Sequence, residues 1–93
     1  MEQKFITAWA AARQKAEALG IKMRPVKDEE ALKTARHILG GRRLSDGFNN
    51  LQAKGQLQLS LEALVVDKRF TALFTDEEAN EALMRLLEAG YRF

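Results

Sequence analysis

At 93 residues the chain has room for one hydrophobic core and not for two, so residues 1–93 are expected to form a single domain. Hydrophobic residues make up 46% and charged residues 30%, a globular balance that argues against general disorder, and the absence of cysteine excludes disulfides and thiolate metal sites and favours a reducing, cytoplasmic setting. A net charge of +2 is too small to indicate nucleic acid by itself, although positive charge is concentrated in residues 1–27 and 33–69 and negative charge in residues 28–32 and 70–93.

Phe5, Trp9, Ala12, Ala16 and Leu19 recur at intervals of four and three, the stripe of a helix over residues 1–19. Its charged residues, interleaved with alanines, resemble neither a signal peptide nor a membrane span, and no membrane association is expected. Gly20 supplies a C-terminal stop, and Ile21, Met23 and Val26 around Pro25 read as a linker or short strand. Asp28 is the expected N-cap of a second helix, with Glu29 and Glu30 complementing its dipole, a buried face of Leu32, Ala35, Ile38 and Leu39, and an end at Gly40-Gly41.

Ser45 is the candidate cap of a third helix carrying Phe48 and Leu51, which Gly47, Asn49 and Asn50 weaken. Leu57 and Leu59 alternate with glutamines as in a short strand, and Ser60 then caps a brief helix with Leu61, Leu64 and Val65. Thr75 through Glu78 form a capping box, followed by an apolar face of Ala79, Ala82, Leu83, Leu86 and Leu87 that ends at Gly90. The fold class expected is all-α: a small orthogonal bundle of five helices, or four if residues 45–54 are only a turn, with at most a short two-stranded pairing. Trp9, central in the first stripe, is expected against the apolar face of the last helix.

The inventory for catalysis is thin. There is no cysteine, and the single histidine, His37, falls on the polar side of the second helix, near a C-terminus that favours a cation. The carboxylates at residues 28–30 and 76–78 are accounted for by helix dipoles, and no metal-ligand or EF-hand spacing is present, so no catalytic residue, metal or cofactor is expected. Gly40-Gly41-Arg42-Arg43 before Ser45 could form a phosphate cradle with the amides of the third helix, but the Walker spacing is missing and Asp46 would repel an anion.

Residues 59–64, Leu-Ser-Leu-Glu-Ala-Leu, and residues 82–91, Ala-Leu-Met-Arg-Leu-Leu-Glu-Ala-Gly-Tyr, resemble the second and third helices of a winged helix-turn-helix domain. Gly90, Tyr91 and Phe93 match the start of the wing, the wing itself is absent, and the connection over residues 65–74 is longer than the family's turn. The resemblance implies DNA reading by the last helix, whose Asp76, Glu77, Glu78 and Glu81 would face phosphates.

Two functional readings follow. The first is a small interaction or regulatory module without catalytic activity, binding a protein partner or a second copy of itself through Glu77, Glu81, Glu88, Tyr91 and Phe93. The alternative is a nucleic-acid-binding protein of winged-helix-like shape, using Arg42, Arg43, Lys54, Lys68 and Arg69.

Overall fold

The structure, a computed structural model, describes residues 2–91. It is an all-α bundle: α1 (Glu2–Ala18), α2 (Ala31–Gly40), α3 (Phe48–Ala53), α4 (Leu61–Val65) and α5 (Asp76–Glu88), with no strand among the described residues. Three single 3₁₀ turns, Asp28–Glu30, Leu57–Leu59 and Thr71–Leu73, join them. Helix α5 packs on α4 and α2, and α1 packs on α4, on α2 and on the turn at Leu57–Leu59.

Two apolar clusters make the core. In the first, Phe5 of α1 is fully buried and meets three other rings: Trp9 at 5.7 Å, Phe70 at 5.6 Å and Phe74 at 5.4 Å between centroids. The last two are edge-to-face, the arrangement in which the ring edge meets the electron-rich face of its neighbour. Ala31, Ala35 and Leu39 of α2, Leu61 and Val65 of α4 and Ala82 of α5 close round them.

The second cluster is assembled largely from helix ends. Helices α1, α3 and α5 finish with the same pair of hydrogen bonds, a 6→1 bond and a 5→2 bond: Ile21 N to Ala16 O with Gly20 N to Glu17 O, Gln56 N to Leu51 O with Gly55 N to Gln52 O, and Tyr91 N to Leu86 O with Gly90 N to Leu87 O. This closure needs a left-handed residue, supplied in the last case by Gly90 at φ 83°. The chain is thereby folded back so that Ile21 lies with Ala16 in this cluster and Tyr91 packs against the cluster that holds Leu86. Leu51, Phe48 and Leu57 complete it, and Leu59 and Val66 border both clusters.

Several expectations are corrected. Ser45 does not cap α3: the helix begins at Phe48 after Gly47, whose φ is 77°, while the Ser45 side chain is buried elsewhere. Gly47 is therefore a hinge in front of the helix, and a Cβ there would lie 2.8 Å from Cγ2 of Ile21. Asp28 opens a 3₁₀ turn and not α2, which starts at Ala31 without a side-chain cap. The alternation at Leu57 and Leu59 is a 3₁₀ turn, because three residues are too few to separate a period of two from a period of three. The Ile21 to Val26 segment is a linker with no strand pairing. Trp9 is buried as expected and shares the first cluster with Ala82 of α5, but it also lines a cavity with Pro25, Val26, Ile38 and Leu61, away from Leu83, Leu86 and Leu87. Leu87, expected in the core, is 55% exposed.

Candidate partner-binding face

Two local caps set α4 and α5 in place. The Ser60 hydroxyl accepts from Ala63 N and donates to Leu57 O, and in α5 the Thr75 hydroxyl accepts from Glu78 N while Glu78 accepts from Thr75 N at 2.8 Å, a complete capping box. These starts bring Glu62 of α4 and Arg85 of α5 together inside the protein, at 0% and 6% exposure. Nη1 of Arg85 donates to Oε2 of Glu62 at 3.1 Å, and the carboxylate also accepts from Ser45, through its hydroxyl and its backbone N–H.

The rest of the guanidinium is also engaged. Nε donates to Glu81 at 2.7 Å, and Nη2 donates to the carbonyls of Gly41 at 3.0 Å and Ile38 at 3.4 Å. Neither glycine after Leu39 adopts a left-handed conformation, so the C-terminus of α2 is completed by a side chain from α5. The negative end of a helix dipole favours a cation there. Helix α5 is fixed at three heights: Arg36 of α2 holds Glu78 at 3.1 Å, Arg85 is locked in the centre, and Gln52 of α3 donates to Ala89 O at 3.1 Å.

That fixation determines what α5 shows to solvent. At 100° per residue, Glu77, Asn80, Met84, Leu87 and Glu88 share the side opposite Ala82 and Leu86, and all five are exposed. Met84 is 56% exposed and Leu87 55%, side by side at i and i+3. Of the acidic set named from sequence, Glu77 and Glu88 flank this pair, whereas Glu81 is drawn against Arg85. Tyr91 is half-buried against the second cluster, and Phe93 lies outside the described residues. Sequence reasoning placed Leu87 in the core and passed over Met84. The available signal was their step with Glu77 and Glu88.

The basic set is not gathered by any contact among the described residues. Arg42 and Arg43 stand in the loop after α2, where they rim a shallow depression with Arg24 and His37. Lys54 ends α3, and Lys68 and Arg69 are exposed between α4 and α5. Arg69 is bound to Asp67 at 3.0 Å and lies over the Phe70 ring at 4.8 Å, and its hydrogen bond holds the Asp67 carboxyl below the usual 3.8. The phosphate cradle disfavoured from the sequence at residues 40–45 is not formed, because Ser45 N and its hydroxyl serve Glu62 and α3 begins only at Phe48, three residues after Ser45.

No protein-family model matches the chain, and neither a curated protein nor a solved structure matches it. Among the described residues no group of three or more His, Asp or Glu side chains is arranged to hold a metal, and no helix is long and apolar enough to cross a membrane. Of the residues that carried the winged-helix resemblance, 61–64 lie on α4 and 82–88 on α5, and α5 presents Glu77, Met84, Leu87 and Glu88 outward.

Proposed function

We propose that the protein is a small cytoplasmic interaction module whose outer α5 face receives a basic amphipathic helix from a partner protein. The observation that carries this reading is the pair Met84 and Leu87, each more than half exposed on a rigidly held helix and flanked by Glu77 and Glu88. Adjacent apolar side chains inside a charged rim have the composition of an interface, with the apolar pair supplying desolvation and the rim selecting a partner of opposite sign. Asp76, Glu77 and Glu88 make no ion pair among the described residues, so their field is available to a cationic segment.

The test is titration of the isotope-labelled protein with a designed Leu/Lys amphipathic helix and, separately, with its Leu/Glu counterpart. The expected result is chemical-shift change centred on residues 77–88 with the basic peptide alone, weakened at least tenfold by Met84→Ser with Leu87→Ser. Equal response to both peptides, or changes centred away from α5, would remove the reading. Dimerisation through the same face, detected by sedimentation of the peptide-free protein, would replace the partner by a second copy.

The nucleic-acid alternative is favoured by one observation, the approach of Arg24, His37, Arg42 and Arg43 to a single depression. It requires salt-sensitive binding of DNA or RNA that falls when Arg42 and Arg43 are both replaced by alanine. Absence of binding at about 50 mM salt and micromolar protein would eliminate it.

A further inference from the structure

Away from α5, a cavity of about 260 Å³ opens between α1, α2 and the linker over residues 21–27. Of the residues that line it, Trp9 and Leu61 are buried and Val26 and Ile38 partly so, whereas Arg24, His37 and Asp46 are exposed. The space therefore runs from a polar mouth to an apolar floor. Thr34 adds a partly buried hydroxyl to its wall.

The linker beside the cavity is pinned and does not collapse into it. Ile21 N donates to Ala16 O at 3.0 Å and Arg24 N donates to Asp46 Oδ2 at 3.2 Å. Gly47 packs so closely on the linker that a Cβ there would lie 2.8 Å from Cγ2 of Ile21 and 3.1 Å from Cε of Met23. Pro25 stiffens the backbone next to Arg24. A preformed space of this kind is what a small-molecule site requires, and water held against apolar walls has few hydrogen-bond partners and is readily displaced by an apolar group.

The charges of the lining decide what can enter. At the mouth they are matched: Arg24 Nε lies 3.8 Å from Asp46 Oδ2 with the side chains 90% and 50% exposed, so the pair stays in water. Arg13 stands over the Trp9 ring at 5.6 Å from its centroid, and its Nη1 is closed off, out of reach of an occupant. An anion on the floor would lose its water without a bond from that nitrogen and with the Asp46 carboxylate at the entrance. A cation would lose its water near two guanidiniums. Desolvating either charge outweighs the apolar burial that one ring supplies. A neutral molecule avoids both costs and can leave one hydroxyl at the mouth, among Thr34, His37 and Asp46. The volume, just under the roughly 300–1,000 Å³ usual for drug-sized ligands, admits one small ring system.

We propose that this cavity binds a small neutral aromatic alcohol, its ring against Trp9, Val26, Ile38 and Leu61 and its hydroxyl at the polar mouth. The apolar floor holds the ring, and the charged lining excludes ionised relatives of the same shape.

The experiment compares benzyl alcohol with benzoate and benzylammonium, three probes that share one ring and differ in charge, read by Trp9 fluorescence and by chemical shifts of residues 23–26 and 34–38. Trp9 is the only tryptophan, so the optical signal reports this site alone. Benzyl alcohol should bind with a dissociation constant of about 1 mM or below, in keeping with its eight non-hydrogen atoms, and at least about tenfold more tightly than either ion. Val26→Phe, which fills the floor, should abolish that binding while leaving the circular dichroism spectrum unchanged. If Val26→Phe does not fold, the comparison of the three probes on the unaltered protein decides alone. Equal binding of all three, or tighter binding of either ion, would overturn the proposal, as would the absence of any response to benzyl alcohol at about ten times that concentration. Binding undiminished in folded Val26→Phe would also refute it.

Discussion

Glu62 and Arg85 form an ion pair from which water is almost wholly excluded, with Nη1 of Arg85 3.1 Å from Oε2 of Glu62 and the side chains 0% and 6% exposed. Desolvation of two charges offsets most of their mutual attraction, so the pair contributes orientation more than net stability. What it orients is α5. Removing either partner strands the other charge inside the protein, whereas removing both leaves only uncharged groups of Ser45, Ile38 and Gly41 to be satisfied there.

Arg85→Met should therefore destabilise the fold by about 3–5 kcal/mol, while adding Glu62→Leu to it should recover part of that loss, since no charge is then left unpaired inside. Denaturant titration of the two single variants and the pair measures it. If the double variant were no more stable than the sum of the singles, the coupling inferred from the geometry would be absent.

The two glycines flanking the loop after α2 should respond in opposite directions. Gly40 lies in the last turn of α2 without a positive φ, and a Cβ there meets nothing within 4 Å, so Gly40→Ala should stabilise by about 0.5–1 kcal/mol. Gly47→Ala should destabilise by at least about 1 kcal/mol, from the left-handed φ of 77° and from the collision with Ile21. Melting temperatures of the two variants check the sign.

Phe5→Ala should cost more than Trp9→Ala, although tryptophan is the larger residue. Phe5 is fully buried among three rings, whereas Trp9 already borders a cavity, so its loss enlarges an existing space. The expected cost for Phe5→Ala is about 3–5 kcal/mol. Equal or reversed costs in urea would show that the cavity side of Trp9 is as tightly packed as the Phe5 cluster.

Acid should weaken the start of α5 through Glu78. Burial opposes ionisation of this carboxyl, but the Thr75 N–H and the Arg36 guanidinium together outweigh it and hold the group below its ordinary 4.5. A lowered folded value stabilises the protein fully above the unfolded value and less as pH falls through the folded one, because the unfolded chain binds the proton first. Stability should thus decline between about pH 5 and pH 3, and Glu78→Gln should flatten that part of the profile. An unchanged slope would mean that other carboxylates set the acid limb.

Met84→Ser with Leu87→Ser should leave the melting temperature within a few degrees of the parent, since side chains more than half exposed contribute little to the core. This separates the partner-binding reading from a structural one. A large loss of stability would mean that the pair packs in a way its exposure does not reveal.

Local rules determined much of this protein before any tertiary contact. The stripe Phe5, Trp9, Ala12 and Ala16 fixed α1, the capping box at Thr75 fixed the start of α5, and the glycines at 20, 55 and 90 ended three helices, because each signal acts within a turn or two of chain. Only the tertiary structure decided which charges are interior. Glu62 and Arg85 look in sequence like any solvated pair on separate helices, and Ser45 looks like an N-cap until the carboxylate it serves arrives from residue 62. The same contacts decided the candidate face. A sequence stripe as wide as Ala79, Ala82, Leu83, Leu86 and Leu87 permits several rotations of α5 about its axis. Arg36, Arg85 and Gln52 select the one in which Leu86 is buried and Leu87, one residue and 100° further on, stands beside Met84 in water.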